Sequence, residues 1–232
     1  MSAEPLAPSP VGIELLDDPA ADPAAVAVSL RNIARSNRWF GGAAAVRHGL
    51  ARALEGVPAG ATLTLADLGT GLGDLPRAAA RWAARRGVRL VPVGLERSRV
   101  AARLARDGGV PCAVACAGAP PFGEKSVDLV LLSQVAHHLA PESAVRLFRA
   151  CDRLARRAVI VSDLRRGALG PFVFRLGARA LGFDRITVAD GATSLRRGYT
   201  AGELAELLAA ADVRGTVERR PGYRLVAVWR PA

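Results

Sequence analysis

The chain has 232 residues, enough for one α/β domain with a sizeable core and too few for two. Its formal charge is +11, with 32 Lys and Arg against 21 Asp and Glu, a balance that ordinarily points to nucleic acid or an anionic surface. That class is set aside: Lys125 is the one lysine, the arginines are spread along the chain without a tight basic block, and aromatic residues, at 5%, are too sparse for a base-stacking platform.

Cys112, Cys116 and Cys151 are an odd number with no C-x-x-C pattern, and they read as reduced, buried small hydrophobes. No zinc or iron–sulfur ligand set is present in the pattern, and no metal is expected. No basic-then-apolar leader opens the sequence, and no apolar run approaches the roughly 20 residues of a membrane span, so a soluble, cytoplasmic protein is expected.

In chain order, the first ten residues, with Pro5, Pro8 and Pro10, suit no helix and are expected to be loose. Asp22-Pro23 places an N-cap before a first-turn proline, and Val26, Leu30 and Ile33 carry an apolar stripe that predicts a helix to about Ser36. Gly41-Gly42 breaks the chain, and a second helix, about 43–54, leads to the turn at Val57-Pro58-Ala59-Gly60; residues 1–60 are expected to form an N-terminal helical cap on the domain that follows. From Ala61, short apolar strands near 62–68, 88–94, 110–115, 127–132 and 157–162 alternate with helices near 75–86, 98–106 and 142–154, the pattern of a parallel sheet covered on both faces. An insertion of lid-like character is expected over 164–199. Thr200 with Glu203 is a capping box opening a helix, and two further strands near 213–219 and 223–229 are joined by Arg220-Pro221-Gly222, so they must pair antiparallel. The expected fold is Rossmann-like: a seven-stranded, mostly parallel sheet ending in an antiparallel hairpin.

The densest chemical signal is Asp67-Leu-Gly-Thr-Gly-Leu-Gly-Asp74, entered from a strand and left by a helix. Gly69, Gly71 and Gly73 let a ligand lie against main-chain N–H groups. Glu96, closing the next strand, is placed to accept hydrogen bonds from ribose hydroxyls. A pyrophosphate cradle reads G-x-G-x-x-G, whereas this turn reads G-x-G-x-G with acids on both flanks. Asp67 and Asp74 would repel a pyrophosphate and suit a ligand bearing an ammonium and a sulfonium, the charge pattern of S-adenosylmethionine.

From Ala61 to Arg230 the chain resembles the class I S-adenosylmethionine-dependent methyltransferases. The resemblance implies that Asp67, Gly69, Thr70, Gly71 and Gly73 wrap the methionine part of the cofactor, that Glu96 binds its ribose, and that Arg97 flanks its adenine. Ala117-Gly-Ala-Pro-Pro-Phe122 is similar to the family segment preceding strand four; where many members place an adenine-binding Asp this chain has Cys116, beside Ala117, so backbone groups would supply that contact. Ser133, ending strand four, lies where the family contacts the cofactor's amino end. Leu30-Arg-Asn-Ile-Ala-Arg-Ser-Asn-Arg-Trp-Phe-Gly-Gly42 resembles the N-terminal helix of small-molecule methyltransferases found beside type III polyketide synthases, which implies a helix folded over the cofactor and a meeting of Arg38 with its carboxylate.

His137 and His138 follow strand four at the edge where α/β sites open, and either is a candidate base for deprotonating a hydroxyl acceptor. Asp163, at the end of strand five, is a further pocket candidate. Strand four lacks an Asn/Asp-Pro-Pro-Tyr/Phe ending, which argues against methylation of adenine or glutamine nitrogen, and apolar Pro171–Phe183 suits a hydrophobic or aromatic acceptor. The leading expectation is O-methylation of a phenolic or polyketide-like small molecule. An NAD-dependent oxidoreductase and a non-catalytic methyltransferase-like partner protein remain alternatives, and a homo-oligomer is left open.

Overall fold

The apolar runs become seven strands of one sheet in a computed structural model that describes residues 6–231. These are β1 (Thr62–Leu68), β2 (Arg89–Glu96), β3 (Cys112–Val114), β4 (Val127–Ser133), β5 (Ala155–Leu164), β6 (Thr216–Arg220) and β7 (Arg224–Trp229). Their spatial order is β3-β2-β1-β4-β5-β7-β6; the first five are parallel, and β7 pairs antiparallel with both β5 and β6. This is the expected sheet, with the antiparallel hairpin at one edge.

Alternation of side chains across each strand builds two cores. Leu65 of β1, Leu129 and Leu131 of β4 and Ile160 of β5 point to one face, where α2 (Gly42–Ala53) and α3 (Asp74–Ala84) cover them with Leu50, Val46, Ala79 and Trp82. Ala66, Leu68, Val130, Leu132 and Val161 point to the other, beneath α5 (Pro141–Leu154) and α8 (Ala201–Ala210), which contribute Leu147, Phe148, Leu204 and Leu208. Each such leucine, removed from water, contributes about 1.5–3 kcal/mol. The helix starts follow local chemistry: Asp22 accepts from the Ala24 and Ala25 N–H groups ahead of α1 (Pro23–Trp39), and Thr200 and Glu203 close the capping box of α8. α1 packs beside α4 (Arg99–Asp107), with Leu30 and Val26 against Ala101.

Residues 6–17 and Cys116 differ from expectation. Residues 6–17 are an ordered strap: Pro8 bridges to Leu139, the Ser9 N–H donates to the His138 carbonyl at 2.7 Å, and Leu15–Asp17 form a 3-10 turn. The sequence offered no periodicity there because the strap is held by distant side chains; Met1 to Pro5 lie outside the described residues. The stretch 164–199 contains two helices, α6 (Gly170–Ala180) and α7 (Arg185–Arg197). Cys116 is exposed rather than buried, since β3 stops at Val114; Cys151 is buried as expected and Cys112 is intermediate.

α2 lies so close to β5 that a Cβ on Gly49 would stand 2.5 Å from Ile160 Cγ2. Gly49→Ala is therefore expected to push α2 off the sheet and cost about 1–3 kcal/mol, as overpacking does. A urea-unfolding midpoint equal to that of the native protein, with the same slope, would show that the helix can lift without penalty.

Candidate active site

Strand order reverses between β1 and β4, so the crevice at their carboxyl ends is open to a ligand. A cavity of about 650 Å³ lies there, lined by the glycine turn, Glu96, the ends of β4 and β5, α1, the strap and the insertion helices. That volume suits a cofactor with a small acceptor.

The turn after β1 is left-handed at Gly69, Gly71 and Gly73, with φ of 78, 54 and 70°. A Cβ on Gly69 would meet Val135 Cγ2 at 2.5 Å and one on Gly73 would meet Val110 Cγ2 at 2.8 Å, so steric contact and torsion both demand glycine. The Gly71 N–H donates to Glu96 Oε2 at 3.0 Å and the Ser98 N–H to Glu96 Oε1 at 3.1 Å, which fixes that carboxylate at the cavity wall with lone pairs to spare.

Asp67 is 2% exposed; Thr70 donates its hydroxyl to Oδ2 at 2.7 Å, and Oδ1 is buried without a partner. Burial, with the charges of Asp74 and Glu96 added and the Thr70 bond opposing, pushes Asp67 up to about 7. Asp74 is also raised, first by burial, although Asn37 donates to its Oδ2 at 3.0 Å. Asn37 accepts from Gln134 Nε2 at 2.7 Å, so α1 is tied to both the turn and the end of β4. A buried acid with an orphaned oxygen and a half-buried one beside it, at one end of the cavity, make a seat for a cation.

The two histidines separate in role. His137 lies in a 3-10 turn, 136–138, whose Ala136 carbonyl is held by the Tyr199 hydroxyl at 2.8 Å. Its side chain is 1% exposed and Nδ1 sits 2.6 Å from Asp163 Oδ1, which also accepts the Leu164 N–H at 2.7 Å. Burial alone would raise Asp163, but the His137 charge and hydrogen bond, the Leu164 N–H and His138 outweigh it and hold the carboxyl low. An ionised carboxylate can only accept, so Nδ1 of His137 carries a proton, and Nε2 is buried and has no partner. His138 instead faces the strap: Nδ1 is 3.0 Å from Asp17 Oδ1 and 3.0 Å from Arg197 Nη1, with the two imidazole rings 4.2 Å apart.

The remaining expected residues divide. Ala117, Cys116, Ser133 and Thr70 line the cavity, and Ser133 Oγ is buried without a partner. Arg97 also lines it, but its guanidinium donates to the carbonyls of Leu16 and Asp17 at 2.9 and 3.0 Å, tying down the strap. Arg38 is exposed, stacks over Trp39 at 5.4 Å and is absent from the lining: it lies on the solvent side of α1, while Ser29, Leu30, Ile33, Ser36 and Asn37 take the inner side. Trp39 is 62% exposed, whereas Phe40 packs edge-on against Phe174 of α6 at 5.5 Å.

Sequence reasoning missed the strap's anchor. Arg197, with a side chain 1% exposed, donates to Val11 O and Gly12 O at 2.6 Å each, Glu14 Oε1 at 3.0 Å and Asp17 Oδ2 at 2.8 Å. Nothing in an arginine-rich chain marks this arginine out. Glu14, His137 and His138 each offer a ligand atom within 4.8 Å of the others, but Arg197 already occupies Glu14 Oε1 and approaches His138 Nδ1, which opposes a metal cation there.

Comparison with known proteins agrees with this architecture. Residues 66–161 match the family described as methyltransferase domain. Among solved structures, the plantazolicin methyltransferase BpumL in complex with SAH superimposes with a TM-score of 0.69 at 11% identity, over 94% of each chain. TnmH gives 0.63 at 24% identity, over 95% of this chain and 62% of that one, and a SAM dependent methyltransferase from Aquifex aeolicus gives 0.60 at 15%, over 91% and 99%. At these identities the likeness is one of fold. No curated protein sequence matches the chain.

A buried acid whose pKa stands above its unfolded value weakens the fold as pH rises between the two, because the unfolded state releases its proton first. For Asp67 that window runs from about 4, the ordinary aspartate value, up to about 7. Asp67→Asn removes the charge, so its thermal stability relative to the native protein is expected to improve steadily from pH 4 to pH 7.5 in the absence of ligand. Melting curves that stay parallel across that range would mean Asp67 is not held protonated.

Proposed function

We propose that this S-adenosylmethionine-dependent methyltransferase methylates a hydroxyl of a hydrophobic aromatic small molecule, with His137 as the general base. The observation that carries the reading is the buried, unpartnered Nε2 of His137 in a cavity that also contains the glycine turn, with Nδ1 tied to Asp163. The methyltransferase domain over residues 66–161 supports the cofactor, and it sets aside the oxidoreductase reading of the same turn.

The residues fit that cofactor. Asp67 and Asp74 would hold its cationic methionine end, with Ser133 Oγ beside them, and Glu96 its ribose; Cys116 and Ala117 line the adenine side. When bound, S-adenosylmethionine supplies a methyl group made electrophilic by the sulfonium.

The chain's own task is then alignment and proton removal. Holding the acceptor in line lowers the barrier by up to about 7 to 11 kcal/mol. His137 takes the acceptor's hydroxyl proton on Nε2, and Asp163 keeps the ring oriented and stabilises the imidazolium that results. The strap, α1 and α6 contribute walls of the cavity that would hold the acceptor.

The acceptor class rests on the apolar walls, Phe40, Leu139, Leu164, Val173 and Phe174. Neighbouring folds include methyltransferases of magnesium protoporphyrin IX and plantazolicin, in keeping with a small-molecule acceptor, and we place the enzyme with polyketide-like secondary metabolites in the cytoplasm. Among the described residues no helix is long and apolar enough to cross a membrane.

The test is calorimetric and kinetic. S-adenosylhomocysteine should bind and NAD should not, and Glu96→Ala should weaken that binding; the reverse pattern of ligands would remove the reading. His137→Ala should lower turnover of a phenolic acceptor by about 10² to 10⁴-fold with S-adenosylhomocysteine affinity intact, Asp163→Asn should follow it, and His138→Ala should keep most of the rate. Native turnover in His137→Ala would mean that the acceptor needs no base.

A further inference from the structure

The cavity carries carboxylates at the glycine turn, from Asp67, Asp74 and Glu96, and others beside the strap, from Glu14, Asp17 and Asp190. Two arginines also line the cavity, Arg97 and Arg224, and only the first is satisfied, by the strap carbonyls. Arg224, the first residue of β7, is 2% exposed. Its Nε donates to the Phe40 carbonyl at 3.2 Å, Nη1 is buried without an acceptor, and no carboxylate forms an ion pair with it among the described residues. Burial lowers its pKa to about 10, with Asp163 opposing, so it remains a cation at neutral pH.

An unpaired guanidinium inside a protein is costly unless a ligand satisfies it. Of the cavity residues, Phe40 accepts from the Arg224 Nε, Leu164 pairs with Arg224 across the ladder, Tyr223 precedes it in the chain, and Phe174 packs on Phe40. Arg224 also stands beside the reacting group's anchor, since it pairs with Leu164 in the β5–β7 ladder, next to Asp163, which holds His137. Apolar and aromatic walls with one fixed cation suit an aromatic acid, because a guanidinium binds a carboxylate through two parallel hydrogen bonds.

We propose that Arg224 is the acceptor-recognition residue, and that the acceptor is an aromatic carboxylic acid whose carboxylate lies on Arg224 while its hydroxyl faces His137. This rests on the methyl-transfer reading above and narrows its acceptor class to an anion.

The test titrates benzoate and, separately, methyl benzoate into the protein saturated with S-adenosylhomocysteine. The native protein is expected to bind benzoate at least about tenfold tighter than the ester, since the ester leaves the buried cation unpaired. Arg224→Gln should erase that preference, and Arg224→Lys, which keeps the charge, should retain part of it. Equal affinity for acid and ester, no binding of benzoate at millimolar concentration, or a preference that survives in folded Arg224→Gln overturns the proposal. Should the Gln variant not fold, the acid-to-ester ratio of the native protein and of Arg224→Lys decides. Failure to bind S-adenosylhomocysteine is the failure of the methyl-transfer reading instead; the same titration on the protein alone then still reports on Arg224.

Discussion

The reversal of strand order between β1 and β4 is the constraint on which the rest of this molecule depends. In a parallel sheet all strands end on the same edge, and where neighbouring crossovers leave in opposite directions no helix covers that edge. β1 and β4 pair with Asp67 beside Leu131, and β4 and β5 pair with Ser133 beside Ser162, so Asp67, Ser133 and Asp163 finish within two strand spacings of one another. Asp67 and Ser133 thereby line one cavity, and Asp163 lies just behind it, bonded to the cavity residue His137. The glycines after Asp67 let the backbone turn left-handed into that space, and Gln134 after β4 does the same with a φ of 57°. A non-glycine residue in that region is held there by its surroundings, here by the Asn37 bond and by the Ser162 carbonyl that accepts its N–H.

The strap at the cavity is held chiefly by charge. Residues 6–17 have no helical or strand periodicity, yet Arg197 gathers two of their carbonyls and two of their carboxylates around one buried guanidinium. Glu14 is raised, first by burial, despite Arg197 and the Ser194 hydroxyl at 2.8 Å. Such a network adds little net stability, since removing the ions from water costs most of what their attraction returns, but it defines one geometry. Arg97 fixes the same strap from the β2 side, so the strap is anchored at the end of β2 and at the insertion helices together.

Two buried arginines illustrate the difference between structure and function in one chain. Arg197 has every neighbour it needs and serves the fold; Arg224 keeps an unpaired nitrogen at the wall of a cavity. The same contrast separates the adjacent histidines. His138 is enclosed by Asp17 and Arg197, while His137 keeps an unpartnered Nε2 on a ring held by Asp163. Incomplete hydrogen bonding, where burial makes it expensive, is the mark of a group waiting for a partner.

By itself the sequence determined the alternation of strands and helices, the antiparallel terminal hairpin, the glycine turn with Asp67, and the acid at Glu96, because each is written in local periodicity, turn chemistry or short spacing. It also singled out His137, His138 and Asp163 as candidates. Only the tertiary structure separated the two histidines, since Asp163, 26 positions away, bonds His137 while His138 turns to Asp17. Only it moved Arg38 to solvent, turned Arg97 toward the strap and brought Arg197 and Arg224 indoors. Arginines in a chain with 32 basic side chains look alike in sequence, because burial and the presence or absence of a hydrogen-bond partner are properties of packing between distant segments and leave no local pattern.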